Sequence, residues 1–205
     1  MKRLASLIIA VVMVSLLLGG CARFRRWVYQ GGDRDSWQQP ARVIEMLEIS
    51  SGTRLADLGS GGGYFAFLMA EAVGQDGYVY AIDVDADMHE LLRAEASRRG
   101  VTNLETILAE PADPRLPEDG VDLLFTSNTY HHLSDRVAYF SGLRDRIRPG
   151  GRVAIIDYKY EGILQKRHAT PVDTVRSEMA LAGYTLIREY DFLERQNFLI
   201  FEVAQ

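Results

Sequence analysis

The densest concentration of chemistry in this chain lies in Leu55-Ala56-Asp57-Leu58-Gly59-Ser60-Gly61-Gly62-Gly63-Tyr64. Glycines at alternate positions, Gly59, Gly61 and Gly63, let the backbone turn tightly and approach a ligand where any Cβ would intrude. Twenty residues beyond Gly63, the run Val79-Tyr80-Ala81-Ile82-Asp83 ends in a carboxylate that can accept hydrogen bonds from both hydroxyls of a ribose. A strand that enters a glycine turn, a helix that leaves it and an acid at the tip of the next strand together indicate a nucleoside-bearing ligand.

Asp57 narrows the choice. Gly61-x-Gly63-x-x-Ala66 also passes as a NAD fingerprint. A pyrophosphate on this loop would face the Asp57 carboxylate, and like charges there are unfavourable. S-adenosylmethionine has no phosphate and carries an ammonium and a sulfonium, so electrostatics favours it. A second cluster is Thr126-Ser127-Asn128-Thr129-Tyr130-His131-His132-Leu133. Two readings stand for its histidines: they brace the loop or cap the helix that follows, or one acts as a base or binds an acceptor. Adjacent side chains point in different directions and no third ligand has suitable spacing, so no metal is expected. Tyr130 and Tyr158 offer either packing or an aromatic wall and a phenol. Asp157, Lys159 and His168 fall near the same region, and Glu161 to Thr170 reads as a pocket cover or a solvated loop.

The elements that must position these groups alternate. Short apolar runs place strands at Arg54–Leu58, Tyr78–Asp83, Leu104–Leu108, Val121–Thr126 and Arg152–Tyr158. Helices are expected at Tyr64–Val73, Ala86–Arg99 and Arg136–Ile147. Repeated β-α units imply a parallel sheet covered on both faces. After Tyr158 a helix near Val172–Ala182 precedes two strand-like runs, Tyr184–Tyr190 and Asn197–Val203. Their short link suits a hairpin, so the last strand should run antiparallel. In such a sheet ligands bind outside the carboxyl ends of the strands, where both clusters fall. Upstream, Pro40 opens a further helix with Val43, Ile44 and Leu47 on its apolar stripe.

With these elements, residues 40–205 resemble the class I S-adenosylmethionine-dependent methyltransferase family. Asp57-x-Gly59-x-Gly61-x-Gly63 is similar to the family's first motif, and Asp83 stands where the family has its ribose-binding acid. Ala109-Glu110-Pro111 resembles the segment beside the adenine, with Asp113 a near alternative to Glu110. Arg148-Pro149-Gly150-Gly151 resembles the turn before the fifth strand. The resemblance implies a Rossmann-like doubly wound α/β sheet, mostly parallel, of strand order 3-2-1-4-5-7-6. It also implies S-adenosylmethionine as cofactor, held by Asp57, Gly59, Ser60, Gly61, Gly63, Asp83, Glu110 and Asn128. His131 and His132 are the catalytic candidates, and the acceptor is expected to be a small molecule.

The first 21 residues have another character. Lys2 and Arg3 precede an apolar stretch from Leu4 to Leu18, the length of a signal-peptide core and short for a membrane span. Leu18-Gly19-Gly20-Cys21 resembles the lipobox of bacterial lipoproteins. That resemblance implies a signal peptide over 1–20, lipidation of Cys21 and a tether over 21–39. Ala22 after the cysteine is compatible with delivery to the outer membrane. An uncleaved anchor helix is the competing reading, and either one tethers the chain to a membrane in the cell envelope. Cys21 is the only cysteine, which excludes an internal disulfide. The net charge of -5, without a long basic run, gives no reason to expect a nucleic-acid partner. Because S-adenosylmethionine is made in the cytoplasm, an export signal also admits a non-catalytic envelope protein that keeps the fold. An NAD-dependent oxidoreductase is the other alternative.

Overall fold

The computed structural model describes residues 34–160 and 168–204. The expected signal peptide, Cys21, the tether up to residue 33 and residues 161–167 of the segment read as a pocket cover or a solvated loop lie outside them. The described chain forms α1 (Arg34–Gln38), α2 (Pro40–Met46), β1 (Arg54–Leu58), α3 (Tyr64–Ala72), β2 (Tyr78–Asp83), α4 (Ala86–Arg99), β3 (Leu104–Leu108) and β4 (Val121–Ser127). It continues with α5 (Arg136–Leu143), β5 (Ile147–Tyr158), α6 (Val172–Leu181), β6 (Tyr184–Tyr190) and β7 (Gln196–Val203).

One seven-stranded sheet runs in the order β3-β2-β1-β4-β5-β7-β6. Strands β1 to β5 are parallel, and β7 is antiparallel to both β5 and β6. The order and the terminal hairpin match the sequence expectation. Successive strand residues feed opposite faces, as the two-residue repeat of a strand requires. Ala56, Leu124, Val153 and Ile155 pack with Tyr130, Phe140 and Met179 on one face. Leu55, Leu123, Phe125 and Ala154 pack with Val43, Phe65, Met69 and Leu92 on the other. Both faces are buried, which explains why the central strands read as continuous apolar runs.

Two segments differ from expectation. The helix expected to reach Ile147 ends at Leu143, a short 3-10 turn covers Arg144–Arg146, and Ile147 already belongs to β5. Ile147 pairs with Val121, and the partner of Leu123 is Arg152, so Arg148-Pro149-Gly150-Gly151 forms an irregularity inside the strand. Gly150 takes φ +75°, and a Cβ on Gly151 would lie 2.8 Å from the Arg148 carbonyl oxygen. The glycines are what allow the strand to resume.

The second difference is α1, which lies within the expected tether and is packed onto the sheet. Gln38 is fully buried. Its Nε2 donates to Ser127 Oγ at 3.0 Å and to Gln196 Oε1 at 3.0 Å, while Arg34 Nε donates to its Oε1 at 2.7 Å. Gln196 Nε2 in turn donates to Asn128 Oδ1 at 2.6 Å. This amide chain fixes α1 against the carboxyl ends of β4 and β5. Gln38→Ala strands the groups it satisfied, a loss of about 1–3 kcal/mol. The expected result is a lower urea midpoint with an unchanged m-value in equilibrium unfolding.

Candidate active site

The carboxyl ends of β1, β2 and β4 open onto a cleft of about 490 Å³, a size within the range of small-ligand pockets. Asp57, Gly59, Ser60, Gly61, Asp83, Glu110 and Asn128 all line it. Gly63 lies below the loop as the left-handed N-cap of α3, with φ +88°. A Cβ on Gly59 would fall 2.0 Å from Thr129 Oγ1, so this glycine is required by its neighbour across the sheet as well as by its φ of +78°. The loop is also tied to the acid opposite it. Gly61 N–H donates to Asp83 Oδ2 at 2.8 Å, and Asp85 N–H donates to Asp83 Oδ1 at 3.0 Å. Each oxygen retains a lone pair for a hydroxyl.

Asp57 is buried, and its Oδ2 has no hydrogen-bond partner among the described residues, nor has the buried Oγ of Ser60. Burial, and then the nearby charge of Asp83, raise the Asp57 carboxyl to about 7; Arg34 and the Ala66 N–H work in the opposite direction. Arg34 also lines the cleft, with its guanidinium 4.2 Å from the centre of the Tyr64 ring. Burial lowers its pKa, partly offset by the charges around it. Glu110 lines the cleft and is paired with Arg115, whereas Asp113 faces a different depression and is bound to the same turn.

The structure separates the two histidines. His131 Nδ1 lies 2.7 Å from Asp157 Oδ1, with both side chains almost fully buried. A carboxylate at that nitrogen sets the proton on Nδ1. His131 does not line the cleft; His132 does. Their rings are 4.1 Å apart, and that of His168 lies 6.4 Å from His132. Burial, then the neighbouring His131, lowers the His132 pKa below the ordinary histidine value. Tyr130, considered as a substrate-facing phenol, is instead fully buried and donates to Glu178 Oε2 at 2.8 Å. Tyr158 stacks against Trp37 of α1 at 6.1 Å. Among the described residues, no group of three or more His, Cys, Asp or Glu is arranged to hold a metal ion.

Residues 49–190 match the methyltransferase domain family. The chain belongs to this family. It is 34% identical over 113 residues to an aklanonic acid methyltransferase of a Streptomyces species, covering 55% of this chain and 51% of the relative. It is 31% identical over 114 residues to the nocamycin O-methyltransferase of Saccharothrix syringae, covering 56% and 41%. The chain thus spans about half or less of the length of these curated relatives. The crystal structure of a SAM-dependent methyltransferase from Aquifex aeolicus shares the fold, with a TM-score of 0.78 at 24% identity over 84% of this chain and 94% of that one.

Family and fold imply S-adenosylmethionine as the cofactor, and the residues present fit it. The unsatisfied Asp57 Oδ2 offers a place for an ammonium, and the acidic cleft opposes a pyrophosphate. Arg34 lines the cleft, and Gln38 and Gln196 hold its wall residues Ser127 and Asn128; the sequence disclosed none of the three. Five helical residues between Gly31-Gly32 and Pro40 are too few to show a period.

The raised Asp57 carboxyl has a consequence for pH. The free folded protein holds this proton more tightly than the unfolded chain does. The stability it contributes is complete below about pH 4 and is lost as pH rises through 7. An ammonium at Asp57 favours the ionised form. Affinity for S-adenosylhomocysteine should therefore rise between pH 6 and 8, by up to about tenfold per unit below 7. Calorimetry in buffers of different ionisation enthalpy should show proton release on binding, and Asp57→Asn should abolish both effects.

Proposed function

We propose that this protein transfers the methyl group of S-adenosylmethionine to a small organic acceptor through a hydroxyl, with His132 as general base. The observation that carries the reading is the pairing of an acidic donor cleft with one neutral imidazole on its wall. Both curated relatives described above are named for small organic acceptors, and the one named for nocamycin O-methylation supports an oxygen acceptor. When bound, S-adenosylmethionine supplies an electrophilic methyl group whose transfer leaves neutral S-adenosylhomocysteine.

The chain's own residues do the rest. Asp57 faces the donor's ammonium, Asp83 receives the ribose hydroxyls, and Glu110 borders the adenine. Gly59, Ser60 and Gly61 let the backbone close on the methionine portion, and Asn128 is held at the cleft by Gln196. Most of the rate comes from holding the two reactants in line. His132, unprotonated at neutral pH because burial and His131 lower its pKa, accepts the acceptor's proton as the new carbon–oxygen bond forms. The buried His131–Asp157 pair beside it acts as a positioning unit.

Residues 1–20, on the same reading, are a signal peptide. Cys21 is the lipidated N-terminus, and the following segment is a tether that holds the domain in the cell envelope. Cys21→Ser should move the protein from the membrane to the soluble fraction, with the matching loss of acyl mass in the intact protein.

Calorimetry with S-adenosylmethionine and NADH in parallel tests the donor. Binding of S-adenosylmethionine alone is expected, and Asp83→Ala should weaken it at least tenfold; binding of NADH alone would sink the proposal. For the base, His132→Gln should lower kcat by about 10²–10⁴ on a hydroxyl acceptor while leaving donor affinity near the wild-type value. A thiol acceptor already ionised at the assay pH should escape most of that loss. Equal losses on both acceptors would remove His132 from the proton transfer.

A further inference from the structure

The seat of α1 determines where the preceding chain leaves the domain. Gln38, buried against Ser127 and Gln196, holds this helix at the carboxyl ends of β4 and β5, and Arg34 at its start lines the cleft. The polypeptide upstream of Arg34 therefore departs from the mouth of the active site and not from the opposite end of the sheet.

Twelve residues lie between Cys21 and Arg34. A random-coil chain of that length has a root-mean-square span of about 20 Å. A domain of this size is about 40 Å across. A lipid on Cys21 thus brings the cleft mouth closer to the bilayer than any other face. The intervening sequence strengthens the bias, because Phe24, Trp27 and Tyr29 alternate with Arg23, Arg25 and Arg26. Aromatic rings prefer the membrane interface, and arginines are drawn to anionic headgroups.

The rim has apolar groups to offer. Val84, directly after β2, is 59% exposed, Leu108 at the end of β3 is 45% exposed, and Tyr160, shortly after β5, is 44% exposed. Single exposed apolar side chains are ordinary, but these three share the edge from which α1 hangs. The charge on this edge is mixed, since exposed Asp35 and Glu110 and half-buried Asp85 accompany Arg42. Attraction to lipid must therefore come from the apolar groups and from the arginines of the tether. Inside the mouth, Leu133 and Tyr139 extend an apolar wall beside His132.

We infer that the cleft opens onto the membrane surface and that the methyl acceptor is an amphiphile resident in the bilayer. Its hydroxyl-bearing end reaches His132 while its apolar remainder stays in the lipid. This rests on the anchoring and methyl transfer proposed above.

Lipidation consumes the sole thiol of the chain, so one introduced cysteine can be labelled uniquely. In the full-length lipidated protein, Leu108→Cys marks the rim, and Glu118→Cys marks the opposite end, just before β4. Each carries a fluorophore and is reconstituted into phosphatidylethanolamine–phosphatidylglycerol vesicles with a nitroxide on the lipid headgroup. Quenching at position 108 is expected to exceed that at 118 several-fold. Tritium from methyl-labelled S-adenosylmethionine, added to membranes of the native cell, should appear in the organic extract. Equal or reversed quenching, or label confined to the aqueous phase, would overturn the inference while leaving anchoring intact. An intact mass showing unmodified Cys21 would overturn the anchoring and this inference together. Donor calorimetry reports independently on the methyltransferase reading.

Discussion

A carboxylate buried at the tip of the central strand, with one oxygen that no group among the described residues satisfies, is the constraint around which this cleft is arranged. Taking such a group out of water is costly unless a cation compensates it. Asp57 cannot relax away from that cost. Its strand lies between β2 and β4, with Ala81 and Phe125 as register partners, and both sheet faces are packed. The nearest fixed charges pull in opposite directions, since Asp83 disfavours ionisation and Arg34 favours it. The free domain is left with a carboxyl poised near neutrality and a place for a positive group beside it. A ligand with an ammonium resolves that tension; one with a pyrophosphate worsens it.

The two walls of the cleft are assembled differently. The wall of Asp57, the glycine turn and Asp83 uses two consecutive β-turn-α units, so its residues are close in sequence and the fold needs only to bend the chain. The wall of Asn128 and His132 is backed by α1, by Asp157 and by Gln196. A chain of buried amides holds these parts together, from Gln38 through Gln196 to Asn128. Asn128 itself sits at φ +58°, a left-handed conformation that asparagine tolerates better than most residues. The loop carrying both histidines is thus set by side chains from the first and last elements of the domain.

That difference explains what could be read beforehand. The central parallel strands were legible because burial on both faces makes them largely apolar runs, and the edge strand β3 followed from its place in the strand–helix rhythm. The antiparallel hairpin followed from the short link between Tyr190 and Asn197. Glycine spacing and Asp83 were legible because a close-approach turn admits few alternatives. The boundary at Ile147 was not, because its apolar side chain fits a helix end as well as the strand that Val121 recruits it into. Tyr130 read either as packing or as a phenol for a substrate, and packing holds: its ring fills the core and its hydroxyl is taken by Glu178, a residue almost fifty positions away.

Sequence alone determined the glycine-rich turn, the acids that accompany it, the strand rhythm and the preference for a cationic nucleoside ligand. These depend on local backbone geometry and on charge within a few residues. Only the tertiary structure decided that His132 faces the cleft while His131 is locked to Asp157. It alone showed that Glu110 rather than Asp113 lines the cleft, and that Arg34 does as well. Those outcomes depend on which residues distant in the chain share a buried space and on which polar atoms must find partners there. No local pattern encodes that.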